Sequence, residues 1–241
     1  MEKINELFLH EEMKIYQKSE GFNFSLDSIL LARFVGLKKN TKKILDIGTG
    51  NAPIPLILTK RTKATIVGVE IQKEVYELAQ KTIEINKKEG QIKIMQGDIN
   101  EIWQKFNNES LDTIVCNPPF FKQFEKTKKN IQITKSIARH EIKLTLERLF
   151  AIARKVLING GNIALVHRPE RLIEIIRLMK ENNIEPKRIK LIYPKKKKNA
   201  NILLIEGVKN GKAGLIIESP LIIHYENGNY TKEVFTYCKE E

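Results

Sequence analysis

A β-branched run, Leu111-Asp112-Thr113-Ile114-Val115-Cys116, ends in Asn117-Pro118-Pro119-Phe120. The two prolines restrict the backbone, so the Asn117 amide and the Pro118 carbonyl are presented rigidly just past a strand. A planar exocyclic amine carries two N–H donors. Two fixed acceptors satisfy both and draw the nitrogen toward pyramidal geometry, which concentrates its lone pair. Phe120 offers a ring on which an extruded nucleobase can stack. Alkylation of such a nitrogen needs no prior general base, because the amine is already neutral; positioning carries the reaction. Asn-Pro-Pro also occurs as a plain loop. Cys116 reads as a core thiol, since no histidine stands near it in sequence to activate it.

The group that such an amine attacks must bind close by. Lys43 to Ile47 reads as a buried strand that runs into Asp46-Ile47-Gly48-Thr49-Gly50-Asn51. Gly48 and Gly50 permit a tight turn and close approach of a ligand to the backbone. A dinucleotide fingerprint would place glycine at position 53, where this chain has Pro53. Asp46 would repel a pyrophosphate but can hold a cationic ligand. Glu70 closes the next strand, where an acid can bridge two ribose hydroxyls. Asp98 follows the third strand and can accept from an adenine amino group. Three acids at three strand ends fit S-adenosylmethionine, an amino acid, a ribose and an adenine without phosphate. The plainer alternative makes the glycines turn formers and the acids helix caps.

Positioning these groups requires strands that end together. The periodicity predicts strands at 43–47, 64–69, 92–95, 111–116, 162–166, 188–193 and 202–207. Helices are expected at 53–60, 73–88, 141–156 and 169–179. In the second of these, Val75, Leu78, Ala79, Thr82, Ile83 and Asn86 share one face. Such alternation implies an α/β fold with a mainly parallel sheet covered on both faces. Ligands of these sheets sit at the carboxyl ends of the strands. One domain is expected: 1–40 a lid or helical element, 41–210 a Rossmann-like core, and 211–241 a tail packed on it. Phe22, Phe24, Leu26, Ile29 and Leu30 read as an apolar lid on the sheet.

The 241 residues carry 42 Lys and Arg against 29 Asp and Glu, a formal charge of +13. Residues 122–139 hold six basic residues and one acid, net +5, and residues 187–212 hold nine and one, net +8. The rest sums to zero. That segregation points to a polyanion-binding surface, with solvated loops as the alternative. The candidates are Lys122, Lys126, Lys128, Lys129, Arg139, His140, Lys195, Lys196, Lys197 and Lys198. Arg139 and His140 otherwise belong to the start of a helix, and the four lysines to a solvated hairpin. No apolar run approaches the roughly 18 residues needed to cross a membrane, and no secretory signal is visible. Two cysteines exclude a disulfide framework. No histidine stands at metal-ligand spacing. The expectation is a cytoplasmic, metal-free protein.

At this point the chain resembles the class I S-adenosylmethionine-dependent methyltransferases with an Asn-Pro-Pro-Phe or Asn-Pro-Pro-Tyr motif. Further segments resemble the tRNA(Val) adenine-37 N6-methyltransferase family. They are Tyr16-Gln17, Gly21-Phe22-Asn23-Phe24-Ser25-Leu26-Asp27, Ala138-Arg139-His140-Glu141 and His167-Arg168-Pro169-Glu170-Arg171. In the tail, Pro220 to Tyr225 and Gly228-Asn229-Tyr230-Thr231 complete the likeness. It implies a seven-stranded sheet with the last strand antiparallel, and methyl transfer to N6 of the adenosine 3′ to the anticodon. Asn117, Pro118, Pro119 and Phe120 would be catalytic. Asp46, Gly48, Gly50, Glu70, Asp98 and Asn117 would hold the cofactor, with Gln17 and Ser25 near it. The basic segments would grip the anticodon loop of a tRNA, and the chain would act as a monomer. Asn51-Ala52-Pro53 departs from the family where a third glycine is frequent. Two other readings stay open: N5 methylation of a release-factor glutamine, and a non-catalytic RNA-binding module.

Overall fold

The computed structural model describes residues 2–7, 10–18, 26–118 and 144–239. Seven strands form the body of the sheet: β3 (Lys43–Ile47), β4 (Thr65–Glu70), β5 (Ile92–Gln96), β6 (Leu111–Cys116), β7 (Leu157–His167), β8 (Ile184–Lys195) and β9 (Ile202–Lys209). Their order is β5-β4-β3-β6-β7-β9-β8. All run parallel except β9, which is antiparallel to β7 and β8. The expected architecture is therefore present, with the last of the seven strands reversed. The central strands are almost wholly buried, as strands covered on both faces must be.

Helices α1 (Leu26–Phe34), α2 (Pro53–Arg61), α3 (Lys73–Ile85) and the C-terminal α7 (Lys232–Lys239) share one hydrophobic core with the sheet. Short α4 (Ile99–Ile102), α5 (Leu146–Val156) and α6 (Leu172–Glu181) share the other. Helix α3 buries Leu78, Ala79, Thr82 and Ile83, four positions of the predicted face. Helix α5 starts at Leu146, later than expected, because the Thr145 hydroxyl accepts from the Arg148 N–H and stops the helix there. Residues 141–143 lie outside the described residues. Strand β7 begins at Leu157, so Gly160 and Gly161 lie inside it. A register shift against β6 takes up the extra residues. A Cβ on Gly161 would approach the Asp112 carbonyl oxygen to 3.0 Å, so the bulge needs glycine.

Two regions differ from expectation. Residues before α1 form an antiparallel pair, β1 (Glu2–Leu7) and β2 (His10–Lys18). Five of the six β1 residues are exposed, so that strand carries no apolar alternation that a sequence could show, whereas β2 buries Met13, Ile15 and Gln17 in alternation. It docks through β2 on α3, where the Tyr16 N–H donates to Thr82 Oγ1 (3.0 Å) and Asn86 Nδ2 to the Lys14 carbonyl (2.6 Å). Leu26, Ile29 and Leu30, read as lid, belong to α1, which is packed into the core. The tail adds β10 (Ile216–Ile217) and β11 (Leu221–His224), both parallel to β8.

The carbonyl end of α1 is held from several directions. Arg61 donates to the Ala32 and Val35 carbonyls and Arg188 to that of Phe34. Buried Glu206 accepts from the Gly36 N–H (2.6 Å) and from Asn162 Nδ2 (3.0 Å). Cations at a helix C-terminus also answer its dipole. Among the described residues, no helix is long and apolar enough to cross a membrane.

Candidate functional site

The register puts Ile47 opposite Val69 and Cys116, and Glu70 opposite Gln96. Four strands thus end level, and their following residues meet at one edge. After β3 the chain turns with Gly48 at φ 71°, Gly50 at φ 58° and Ala52 at φ 69°. A Cβ on Gly48 or Gly50 would meet no atom within 4 Å, so the turn faces open space. Ala52 takes the left-handed conformation without being glycine, at a cost of roughly 1–2 kcal/mol. It caps α2, whose first residue is Pro53. Asn51 ties this turn to the hairpin, its Nδ2 donating to the Tyr16 carbonyl (2.9 Å).

Two carboxylates organise the turn. Glu70 Oε2 accepts from the Gly50 N–H (3.0 Å) and Oε1 from the Gln72 N–H (2.9 Å). Burial holds its carboxyl above the usual carboxylate range, against those backbone bonds. Asp46 is fully buried. Its Oδ2 accepts from the Thr49 hydroxyl (2.6 Å), while Oδ1 has no partner among the described residues. Burial pushes this carboxyl to about 7, with the Thr49 bond opposing and the Glu70 charge adding. Gly68 makes room for Thr49, since a Cβ there would lie 2.8 Å from its hydroxyl. An orphaned buried carboxylate oxygen beside an open turn is a fitting place for a ligand ammonium group. Asp98 takes the plainer alternative at one oxygen: its Oδ1 caps α4, accepting from the Asn100 N–H and Nδ2 at 2.9 Å each.

Asn117 follows β6, half-buried. Its Nδ2 donates to Ser28 Oγ (2.9 Å) in the first turn of α1. The amide nitrogen is thereby engaged, which leaves Oδ1 as the atom of this side chain that could accept an N–H. Ser28 has no motif status in the sequence; only the packing of α1 brings it here. Its neighbour Asp27 is held above the usual carboxylate range by burial, opposed by the Arg168 charge. Burial also pushes the Cys116 thiol far up, consistent with a core cysteine. His167, ending β7, is lowered to about 4 by burial and then by Arg171.

Gln17 lies in β2 beside Tyr16. Its Oε1 accepts from Asn5 Nδ2 (2.5 Å), and its Nε2 is buried without a partner among the described residues. Its chain neighbour Tyr16, not Gln17 itself, makes the bond to the turn, through the Asn51 amide. Pro118 is described; Pro119, Phe120, Ser25, Lys122, Lys126, Lys128, Lys129, Arg139 and His140 lie outside the described residues. The +8 segment divides. Arg188 pairs with Glu206 and Glu218, Lys190 with Glu218, and Lys209 with Glu109. Those charges serve the fold. Lys195, Lys196, Lys197 and Lys198 lie at the turn between β8 and β9. Because β8 runs parallel to β6, that turn leaves from the same edge as Asn117. Among the described residues, no group of His, Cys, Asp and Glu is placed to hold a metal ion.

A family model described as a methyltransferase small domain matches residues 26–183. A Parabacteroides distasonis protein named tRNA1(Val) (adenine(37)-N6)-methyltransferase is 28% identical, covering 98% of this chain and 97% of its own. One of the same name from Porphyromonas gingivalis is 29% identical, covering 95% and 91%. A solved structure described as a predicted O-methyltransferase from Agrobacterium tumefaciens superposes with TM-score 0.68 at 22% identity, over 88% of this chain and 95% of that one. A geranyl diphosphate C-methyltransferase from Streptomyces coelicolor, in complex with S-adenosyl-L-homocysteine, gives TM-score 0.57 at 10% identity, over 76% and 77%. At those identities the two structures speak for the fold alone.

Proposed function

The chain belongs to the methyltransferase small domain family, and on that premise we propose that it transfers a methyl group from S-adenosylmethionine to N6 of adenosine 37 in tRNA(Val). The observation that carries this is the Ser28–Asn117 bond. It commits the amide nitrogen, so that the oxygen would be left for the substrate amine, level with a glycine turn tethered by Glu70.

S-adenosylmethionine supplies an electrophilic methyl on a sulfonium. Glu70 would take the ribose hydroxyls on the lone pairs its backbone donors leave, and Asp98 the adenine amino group through Oδ2. The orphaned Asp46 Oδ1, the open faces of Gly48 and Gly50, and the unpartnered Gln17 Nε2 would meet the methionine part. The Asn117 Oδ1 and the Pro118 carbonyl would accept both amine hydrogens, and Phe120 would stack the base. Ser25 would lie near the cofactor. No side chain needs to remove a proton before the transfer; the proton is lost from the methylated amine afterwards.

An unpaired loop suits this substrate, because an unstacked base costs least to flip. Lys195 to Lys198, with Lys122, Lys126, Lys128, Lys129, Arg139 and His140, would grip the loop phosphates and fix its orientation. The protein would act in the cytoplasm as a monomer, without a metal, as one domain of core and appended ends. A release-factor substrate implies an N-terminal helical bundle, whereas the described residues before β3 hold a hairpin and one helix. The test is mass spectrometry of tRNA nucleosides mapped to position, in cells with and without the protein. N6-methyladenosine at position 37 of tRNA(Val) should vanish with it; an unchanged level overturns the proposal.

A further inference from the structure

The tail segments Pro220 to Tyr225 and Gly228 to Thr231 have no part in the roles above. Strand β11 runs parallel to β8 with His224 opposite Lys195. Tyr225 therefore leaves the sheet at the carboxyl edge, beside the lysine hairpin. A tight turn follows: the Tyr225 N–H donates to the Asn229 carbonyl (2.9 Å) and the Gly228 N–H to that of Tyr225 (3.0 Å). Gly228 supplies the φ of 91° the turn needs.

The turn is braced from below. The His224 ring stacks on Tyr230 at 4.8 Å, and Tyr230 meets Phe235 edge-on at 6.2 Å. Thr231 Oγ1 donates to the Ile222 carbonyl (2.6 Å). Lys195 Nζ donates to the Glu226 carbonyl (2.9 Å), joining turn to hairpin. On this support Tyr225 is 46% exposed, while its hydroxyl accepts from the Lys232 N–H (3.3 Å). An aromatic ring anchored at its tip has little rotamer freedom left to lose on binding.

We propose that Tyr225 is a base-stacking platform of the RNA-binding face, taking an unpaired base of the same loop that presents its adenosine to Asn117. This rests on the tRNA reading above. Strands β11, β8, β9, β7 and β6 are successive neighbours, so Tyr225 lies about 19 Å along the edge from Asn117 at ~4.8 Å per strand. That is the span of a few nucleotides. Exposed aromatics interleaved with lysines are what single-stranded nucleic acid binds: bases stack while phosphates are neutralised. A basic protein would be repelled by Lys195 to Lys198.

Stacking and phosphate contact differ in salt dependence, since only the second releases counterions. The experiment is tRNA filter binding across a salt series, with cofactor affinity and thermal midpoint measured alongside. Wild type is compared with Tyr225→Ala, Tyr225→Leu, Tyr225→Phe and a variant with Lys195 to Lys198 replaced by Gln. Tyr225→Ala and Tyr225→Leu should weaken tRNA binding about 10- to 100-fold, with salt slopes parallel to wild type and cofactor affinity unchanged. Tyr225→Phe keeps the π-face but loses the anchor at its tip, so it should weaken binding far less than Tyr225→Leu, and the lysine variant should flatten the slope. Leucine keeps apolar bulk without a π-face, so it decides the question should alanine disturb the turn. Wild-type affinity in Tyr225→Leu overturns the platform while leaving the tRNA reading intact. Failure of the wild type itself to bind tRNA overturns both.

Discussion

Replacing Glu70 by Gln keeps the side chain's size and removes its charge. In the fold, both carboxylate oxygens are engaged, one by the Gly50 N–H at 3.0 Å and the other by the Gln72 N–H at 2.9 Å. Glutamine offers one oxygen, so one of those N–H groups then faces an amide NH2. Leaving it unsatisfied costs about 1–3 kcal/mol. Against this stands relief of the burial that holds the Glu70 carboxyl above its ordinary range, an effect of opposite sign. The two offset, and the thermal midpoint of the ligand-free protein should move by a few degrees at most. Cofactor affinity has no such offset. A ribose hydroxyl loses a bond to a charged acceptor, about 1.5–3 kcal/mol, or roughly 10- to 150-fold in Kd. Calorimetric titration with S-adenosylmethionine and a thermal melt on the same preparation separate the terms. Wild-type affinity in Glu70→Gln would remove Glu70 from the cofactor site. A melt lowered by more than about 10 °C, several kcal/mol at this chain length, would make its role architectural.

Asp46→Asn addresses the pH dependence. The native Asp46 carboxyl holds its proton to about 7, while the unfolded one releases it near 3.8. The native state therefore binds more protons across that window, and stability falls as pH rises through it. The Asn variant should melt like wild type at pH 4 and higher at pH 8, with a flatter midpoint-against-pH curve; equal curves would show that the carboxyl ionises freely in the fold. Asn117→Ala should fold and bind cofactor yet lose most turnover on tRNA, because the lost acceptor acts on the reacting amine. Ser28→Ala should lower kcat with KM nearly unchanged, and Ser28→Thr should restore it. A Ser28→Ala enzyme with wild-type kcat would show that Asn117 orients itself. Ala52→Gly relieves a φ of 69°, roughly 1–2 kcal/mol, but gives up a fully buried methyl and adds chain entropy, together of similar size. Stability in a chemical melt should therefore hardly move, and a loss of more than about 2 kcal/mol would mean the turn carries no strain.

The parallel sheet was legible because its strands are short β-branched runs separated by apolar faces of helical period, as β3 and β6 show at both ends. The glycine turn, Glu70, Asp98 and Asn117 were legible for a related reason: in such a sheet, chemistry must follow strand ends. Position alone nominated them. What the local pattern could not carry is anything decided by a distant partner. Strand β1 has no apolar alternation; it pairs with β2, which docks on α3. The basic run 187–212 is uniform as a sequence, yet Arg188, Lys190 and Lys209 meet acids brought by other strands while Lys195 to Lys198 reach the carboxyl edge. Ser28 is 89 residues from the amide it orients. Local order along the chain places these residues where strands end. Which of their atoms are already committed depends on packing, because hydrogen bonds and ion pairs between distant segments form only when the elements come together.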